Sequence, residues 1–147
     1  MTDRPRTMAS VNDTIIERFR ANDGLVGMHW EGKTLVLLHH VGRSSGKEFV
    51  IPLVAAPDAD TYVICGSGAG TPEDPQWVAN LEAATGPATI ELGAATLSVD
   101  YEVVRPGDPD WEDLYEIWRD YWPDSRDDEK KTTRRFPLVR LHVPPSA

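Results

Sequence analysis

Short apolar runs set the tightest limit on how this chain can fold. TLVLLHH (34–40), EFVIPLVAA (48–56), TYVICG (61–66), ATIELG (88–93), ATLSVDYEVV (95–104) and PLVRLHV (137–143) are each too brief for a long amphipathic helix. They are rich in β-branched and aliphatic residues, and glycine, proline or aspartate stops most of them, so they read as strands. A further strand candidate, within LVGMHW, precedes the Glu31-Gly32-Lys33 turn. Most connections are tight turns, which join antiparallel neighbours and suggest a meander.

Helical spacing is confined to three segments. SVNDTIIERFRANDG puts Val11, Ile15, Ile16 and Phe19 on one side, with Ser10 or Asn12 as cap. Asp74-Pro75 forms a cap and first turn for a short helix through Trp77, Asn80, Leu81 and Ala84. Asp108-Pro109 repeats the device ahead of a helix that packs through Trp111, Leu114, Tyr115, Trp118 and Trp122. Strands and long helices do not alternate as a doubly wound sheet requires. The predicted fold is mainly β with peripheral helices, an antiparallel or mixed barrel.

With 147 residues, the expectation is one domain over 1–147, with residues 1–9 loose ahead of the first helix. No segment approaches the roughly 18 continuous apolar residues that span a bilayer, and MTDRPRTMAS lacks the apolar stretch of a secretory signal. A cytoplasmic protein without stable membrane insertion is expected. The formal charge of -9 repels nucleic acid phosphates, so the partner expected is a small molecule. The single cysteine, Cys65, excludes an intrachain disulfide and reads as a small buried hydrophobe.

The stretch HHVGRSSGKEFVIPL concentrates the candidate chemistry. Arg43 can grip a phosphate or carboxylate through two donors, and Ser44, Ser45 and the amides of a tight turn can complete an anion nest. The competing reading makes Arg43 and Lys47 ordinary hairpin charges. The stretch has neither P-loop nor GxGxxG spacing, so it names no nucleotide. His39 and His40 must point to opposite faces of a strand, so at most one enters a cavity as donor or proton relay. His29 and His142 stand elsewhere, and no metal centre is expected. Trp77 can anchor its helix or close over a planar ligand; Asn80, one turn later, suggests a polar cavity wall. PDSRDDEKKTTRR reads as a solvated connection.

In order along the chain, LVLLHHVGRSSGKEFVIPL, YVICGSGAG, DPQWVANLEA and RRFPLVRL resemble the deazaflavin-dependent nitroreductase family of actinobacterial oxidoreductases, from Gly24 to Leu141. The resemblance implies a split β-barrel of the FMN-binding-like type. It also implies a reduced 8-hydroxy-5-deazaflavin coenzyme (F420) that delivers hydride to quinones, nitro compounds, enones or other activated acceptors. Carried over residue by residue, it puts Arg43, Ser45 and Gly46 at the coenzyme's anionic tail and Pro52 and Leu53 against its rings. Ser67 and Gly70 fall in the loop that passes the coenzyme, Trp77 and Asn80 in the following WxxN helix, and Arg134 at the basic position before the last strand. Split barrels often pair through exposed sheet, so a homodimer is a further expectation of the fold.

The chain departs from the family pattern at several positions. Phe49 stands where arginine is usual, Gly68 where lysine is common, and Asp128 and Ser125 at two tyrosine positions. Lys47, next to the turn, can replace one lost cation. Asp128 can donate a proton only if burial or a second carboxylate raises its pKa, and its charged neighbours favour exposure. Tyr62, Tyr115, His39 and His40 are the other candidate donors. These departures point to a specialised acceptor, as in secondary metabolism. A ligand-binding barrel without redox turnover and a repurposed isomerase, cyclase or hydrolase are the readings that compete with a reductase.

Overall fold

The computed structural model describes residues 8–144. Leu35–Val41 (β1) and Glu48–Val54 (β2) form an antiparallel hairpin with Leu35 opposite Val54 and Val41 opposite Glu48. The remaining strands are Ala56–Asp58 (β3), Thr61–Cys65 (β4), Ala88–Leu92 (β5), Ala95–Val104 (β6) and Leu138–His142 (β7). Their order is β2-β1-β5-β6-β7-β4-β3, and every pairing is antiparallel.

Two features curl this sheet into a split barrel. The two edge strands, β2 and β3, are separated only by fully buried Ala55, whose N–H donates to Thr34 O at 2.9 Å, so the chain itself joins one edge to the other. The long strand β6 pairs with β5 through Ala95–Val99 and with β7 through Asp100–Val104, handing the ladder from one half to the other. At β1 the sheet is buried on both faces. Leu35 and Leu37 pack on one side with Ile15 and Phe19 of Met8–Ala21 (α1) and with Trp111, Leu114 and Trp118 of Trp111–Tyr121 (α3). Val36 and Leu38 pack on the other with Trp77, Val78 and Leu81 of Gln76–Ala83 (α2). Double coverage explains why β1 reads as a continuous apolar run. Pro52 is tolerated because β2 pairs on one side only.

Several expectations are corrected. LVGMHW forms no strand: Met28–Trp30 is a short 3-10 turn between Gly27 and Gly32, both at positive φ, which extended backbone cannot accommodate. EFVIPLVAA breaks at Ala55 into β2 and β3. Neither Asp74 nor Asp108 caps a helix through its side chain. Asp74 pairs with Arg105 and Arg134, and Asp108 accepts the Arg105 N–H at 2.8 Å. The charged run is no solvated connection: Ser125–Glu129 is a short helix (α4) with Ser125 fully buried. Of the segment expected to be loose, residues 1–7 lie outside the described residues, whereas Met8 and Ala9 belong to α1. No helix among the described residues is long and apolar enough to cross a membrane.

Candidate functional site

Two cavities open along the β1–β2 hairpin. The first, about 270 Å³, lies where the hairpin leaves its edge: Leu35, Pro52, Leu53 and Val54 form one side, and Trp30, Trp118, Trp122 and the α1 residues Val11, Asn12 and Ile15 form much of the rest. Cys65, Ser67, Ala69 and Asp128 complete it. Asp128 is the one carboxylate in this apolar lining, its side chain only 17% exposed. Burial raises its pKa above the ordinary aspartate value; Lys131 Nζ, 3.8 Å away, pulls it back, and Asp124 and Asp127 push it up again. The carboxyl therefore holds its proton to higher pH than a solvated aspartate. Burial likewise pushes the Cys65 thiol up, so that it stays protonated.

The glycine-rich loop puts Asp128 there. Gly70 is buried at φ +81°, and a Cβ added to it would stand 2.7 Å from Asp128 O and 2.8 Å from Lys131 Cβ. Only glycine lets α4 settle this close. Arg134 holds the loop from behind. Its Nε and Nη2 donate to Thr71 O at 3.1 and 3.0 Å, Nη2 also to Ser67 O at 2.9 Å, and Nη1 to Gly66 O at 3.0 Å and Asp74 Oδ1 at 2.6 Å. Such a fork accounts for all five guanidinium N–H groups.

The second cavity, about 370 Å³, lies at the turn end of the hairpin and is lined by His40, Gly42, Arg43, Ser44, Ser45, Phe49, Gln76 and Asn80. Asn80, 4% exposed, organises it. Its Oδ1 accepts the Arg43 backbone N–H at 3.2 Å and Nη1–H at 2.8 Å, while Nδ2 lies 3.0 Å from His40 Nδ1. Burial lowers the His40 pKa, and the neighbouring His39 lowers it further, so the ring is held neutral. It stacks on half-exposed Phe49 at a centroid distance of 5.5 Å. Arg20, Arg105, Arg134 and Arg140 all have carboxylate partners, whereas among the described residues Arg43 and Lys47 form no ion pair. Phe49 and Leu53 are four residues apart on β2, so the two cavities are separated by about 13 Å of strand.

The candidate residues thus divide. Pro52, Leu53, Ser67 and Asp128 meet in the first cavity, and His40, Arg43, Ser44, Ser45 and Asn80 in the second. Gly46, at φ +71°, and Lys47 shape the turn without lining it; the Lys47 N–H donates to Ser45 Oγ at 3.2 Å. His39 faces away from both cavities, with Nε2 2.8 Å from Glu91 and Nδ1 3.4 Å from Glu48. Tyr62 packs on the face opposite Cys65 and does not reach the first cavity. Trp77, 2% exposed, is a core anchor that offers a planar ligand no face. Tyr115 donates to Glu129 Oε2 at 2.5 Å, and burial raises its pKa. The expected exposure of Asp128 is overturned. Sequence reasoning missed Trp30 and Gln76 and read Asn12 only as a cap and Trp122 only as a packing residue, while Trp118 is the core residue it was read to be; periodicity signals burial but cannot separate a core from a cavity wall.

The family model for F420H(2)-dependent quinone reductase matches residues 12–142. Over 125 residues the chain is 30% identical to F420H(2)-dependent quinone reductase Rv1261c of Mycobacterium tuberculosis (strain ATCC 25618 / H37Rv), covering 84% of this chain and 83% of that relative. Its fold is similar to an F420-H2 dependent reductase (FDR-A), with TM-score 0.61 and 22% identity over 73% of this chain and 92% of the other. It is also similar to a protein described as a domain-swapped dimer, with TM-score 0.64 and 19% identity over 88% and 94% of the two chains.

Proposed function

The chain belongs to the F420H(2)-dependent quinone reductase family, and from that premise we propose that its two cavities divide the work of hydride transfer, with Asp128 as proton donor. The protein is a deazaflavin-dependent oxidoreductase acting on small organic acceptors such as quinones. The residues present fit an elongated coenzyme with a flat ring system and an anionic tail. An apolar cavity and one bearing an unpaired arginine lie on the same hairpin, and the glycine-rich loop brings backbone close to the first.

In this reading Arg43, Ser44 and Ser45 hold the tail, and Pro52 and Leu53 give the ring system a flat apolar wall. When bound, the reduced coenzyme supplies hydride from its ring carbon. Trp30 and Trp122, with buried Trp118 behind them, orient a planar acceptor opposite that wall and exclude water. As negative charge develops on the acceptor oxygen, the Asp128 carboxyl passes its proton there, so hydride and proton together add two hydrogens. The resulting carboxylate is held by Lys131 and regains a proton from solvent. Acceptors that need such protonation, quinones and enones, suit this wall best.

The observation that carries the reading is a largely buried carboxyl in the cavity formed by Pro52 and Leu53. Equilibrium titration with oxidised and reduced coenzyme tests the premise, and no saturable binding to either state would sink it. Product mass then separates reduction, which adds two hydrogens, from isomerisation, which adds none.

A further inference from the structure

The second cavity is far less cationic than a polyanionic tail would require. Arg43 is the only basic side chain in its lining other than a histidine held neutral. Lys47 lies on the turn outside it, and Phe49 covers the flank. On the other side, Gln76 is shared with a neighbouring hollow whose lining includes Glu73 and Asp74. An anionic chain running past Arg43 in that direction meets carboxylates, and like charges at close range repel. Asp74 is compensated by Arg105 and Arg134, whereas Glu73 forms no ion pair among the described residues.

The hydrogen-bond pattern also fixes what His40 offers. Asn80 Oδ1 receives two obligate donors from Arg43, so the other end of the amide, Nδ2–H, donates to His40 Nδ1. With Nδ1 as acceptor, the proton of the neutral ring sits on Nε2. Asn80 thus sets the Arg43 guanidinium and the His40 tautomer together.

We infer that this cavity takes a single phosphate-type anion, gripped by Arg43 and the Ser44 and Ser45 hydroxyls with His40 Nε2–H as an uncharged donor. Carboxylates strung beyond that phosphate add nothing to binding. The inference rests on the coenzyme reading above and narrows it to tail chemistry.

Fluorescence titration of the intact protein with three probes tests it: the deazaflavin riboside without phosphate, the coenzyme with one tail carboxylated residue, and the coenzyme with a long polycarboxylate tail. The phosphate-free probe should bind about tenfold or more weakly, and the two tails should agree within about threefold. Affinity that climbs with tail length, or a phosphate-free probe that binds as well as the others, overturns the inference. In His40→Phe, which keeps an aromatic ring against Phe49, the gap between phosphate-free and short-tailed probes should narrow; an unchanged gap removes His40 from the site. Nitrogen-15 spectra give a readout that does not depend on the coenzyme. His40 should carry its proton on Nε2 near neutral pH and shift saturably with inorganic phosphate, whereas an Nδ1 proton or no response counts against the site. If no deazaflavin binds but phosphate still shifts His40, the coenzyme reading fails and the anion site stands.

Discussion

The carbonyl oxygen of Asp128 lies so close to Gly70 that a Cβ there would stand 2.7 Å from it, with Lys131 Cβ only 2.8 Å away. Because Gly70 also sits at φ +81°, Gly70→Ala adds backbone strain to a steric push on α4. The variant should lose about 1–3 kcal/mol of stability. It should also slow single-turnover reduction more than it weakens coenzyme binding, since α4 carries the proposed proton donor. Thermal melts and rapid-mixing rates measure both, and an unchanged rate in a folded variant would separate Gly70 from the chemistry.

Asp128 should write its titration into both rate and stability. Its folded pKa is raised above the ordinary 3.8, chiefly by burial, so the protonated carboxyl persists to higher pH and, with Asp128 as the proposed donor, the rate should fall as pH climbs through the raised value. Asp128→Asn should be slower by about 10²–10⁴-fold, without that limb. The sign for stability is the same: the contribution of the protonated group is fully present below the unfolded value and is lost as pH rises through the folded one. Asparagine does not titrate, so the variant should gain stability relative to wild type as pH rises across that window. Lys131→Met, which removes the group pulling the pKa down, should move the limb of the rate profile upward. Paired pH–rate and pH–denaturation series check all of this.

Arg134 spends its donors on Gly66, Ser67, Thr71 and Asp74. Arg134→Lys keeps a positive charge near Asp74 but cannot reproduce the fork, so carbonyls that face it lose their partners. Stability should drop by about 1–3 kcal/mol, and hydrogen exchange across residues 66–74 should accelerate. If the variant instead keeps native exchange while coenzyme affinity collapses, Arg134 touches the ligand, as the family resemblance implies.

What the sequence made legible follows its local physics. Short apolar runs bounded by turn residues located six of the seven described strands within a residue or two. Adjacent histidines in β1 had to diverge, and in the structure His39 meets Glu91 while His40 meets Asn80. Asp128 was legible as a position but not as an environment. Its neighbours Arg126, Asp127, Glu129 and Lys130 make the segment read as solvated, whereas the close approach of Gly70, distant in the chain, to the Asp128 backbone seats α4 against the cavity. The role of Arg134 was hidden for a related reason: a basic residue before a strand looks the same whether its fork faces phosphate or backbone carbonyls. The closure through Ala55 was hidden by an apolar run that continues through the break.

The tryptophans divide between core and cavity wall, and give the last prediction. Of the two readings of Trp77, helix anchor and ligand cover, the structure takes the anchor: it is 2% exposed and packs with Val78 and Leu81 against β1 and β6. Trp122, at helical spacing from Trp118, packs against the core as its spacing suggests, and it also lines the cavity with Asp128 and meets His29 edge-on at 5.3 Å. Trp77→Ala should therefore cost about 3–5 kcal/mol, the usual penalty for emptying a large aromatic site in a core. Trp122→Leu keeps an apolar wall while removing a planar surface, so it should raise the acceptor KM several-fold and leave coenzyme affinity nearly unchanged. Denaturant unfolding and initial-rate kinetics with a quinone series separate the two residues. If Trp122→Leu unfolds the protein as readily as Trp77→Ala, Trp122 serves the core alone, and the acceptor wall must be sought in Trp30.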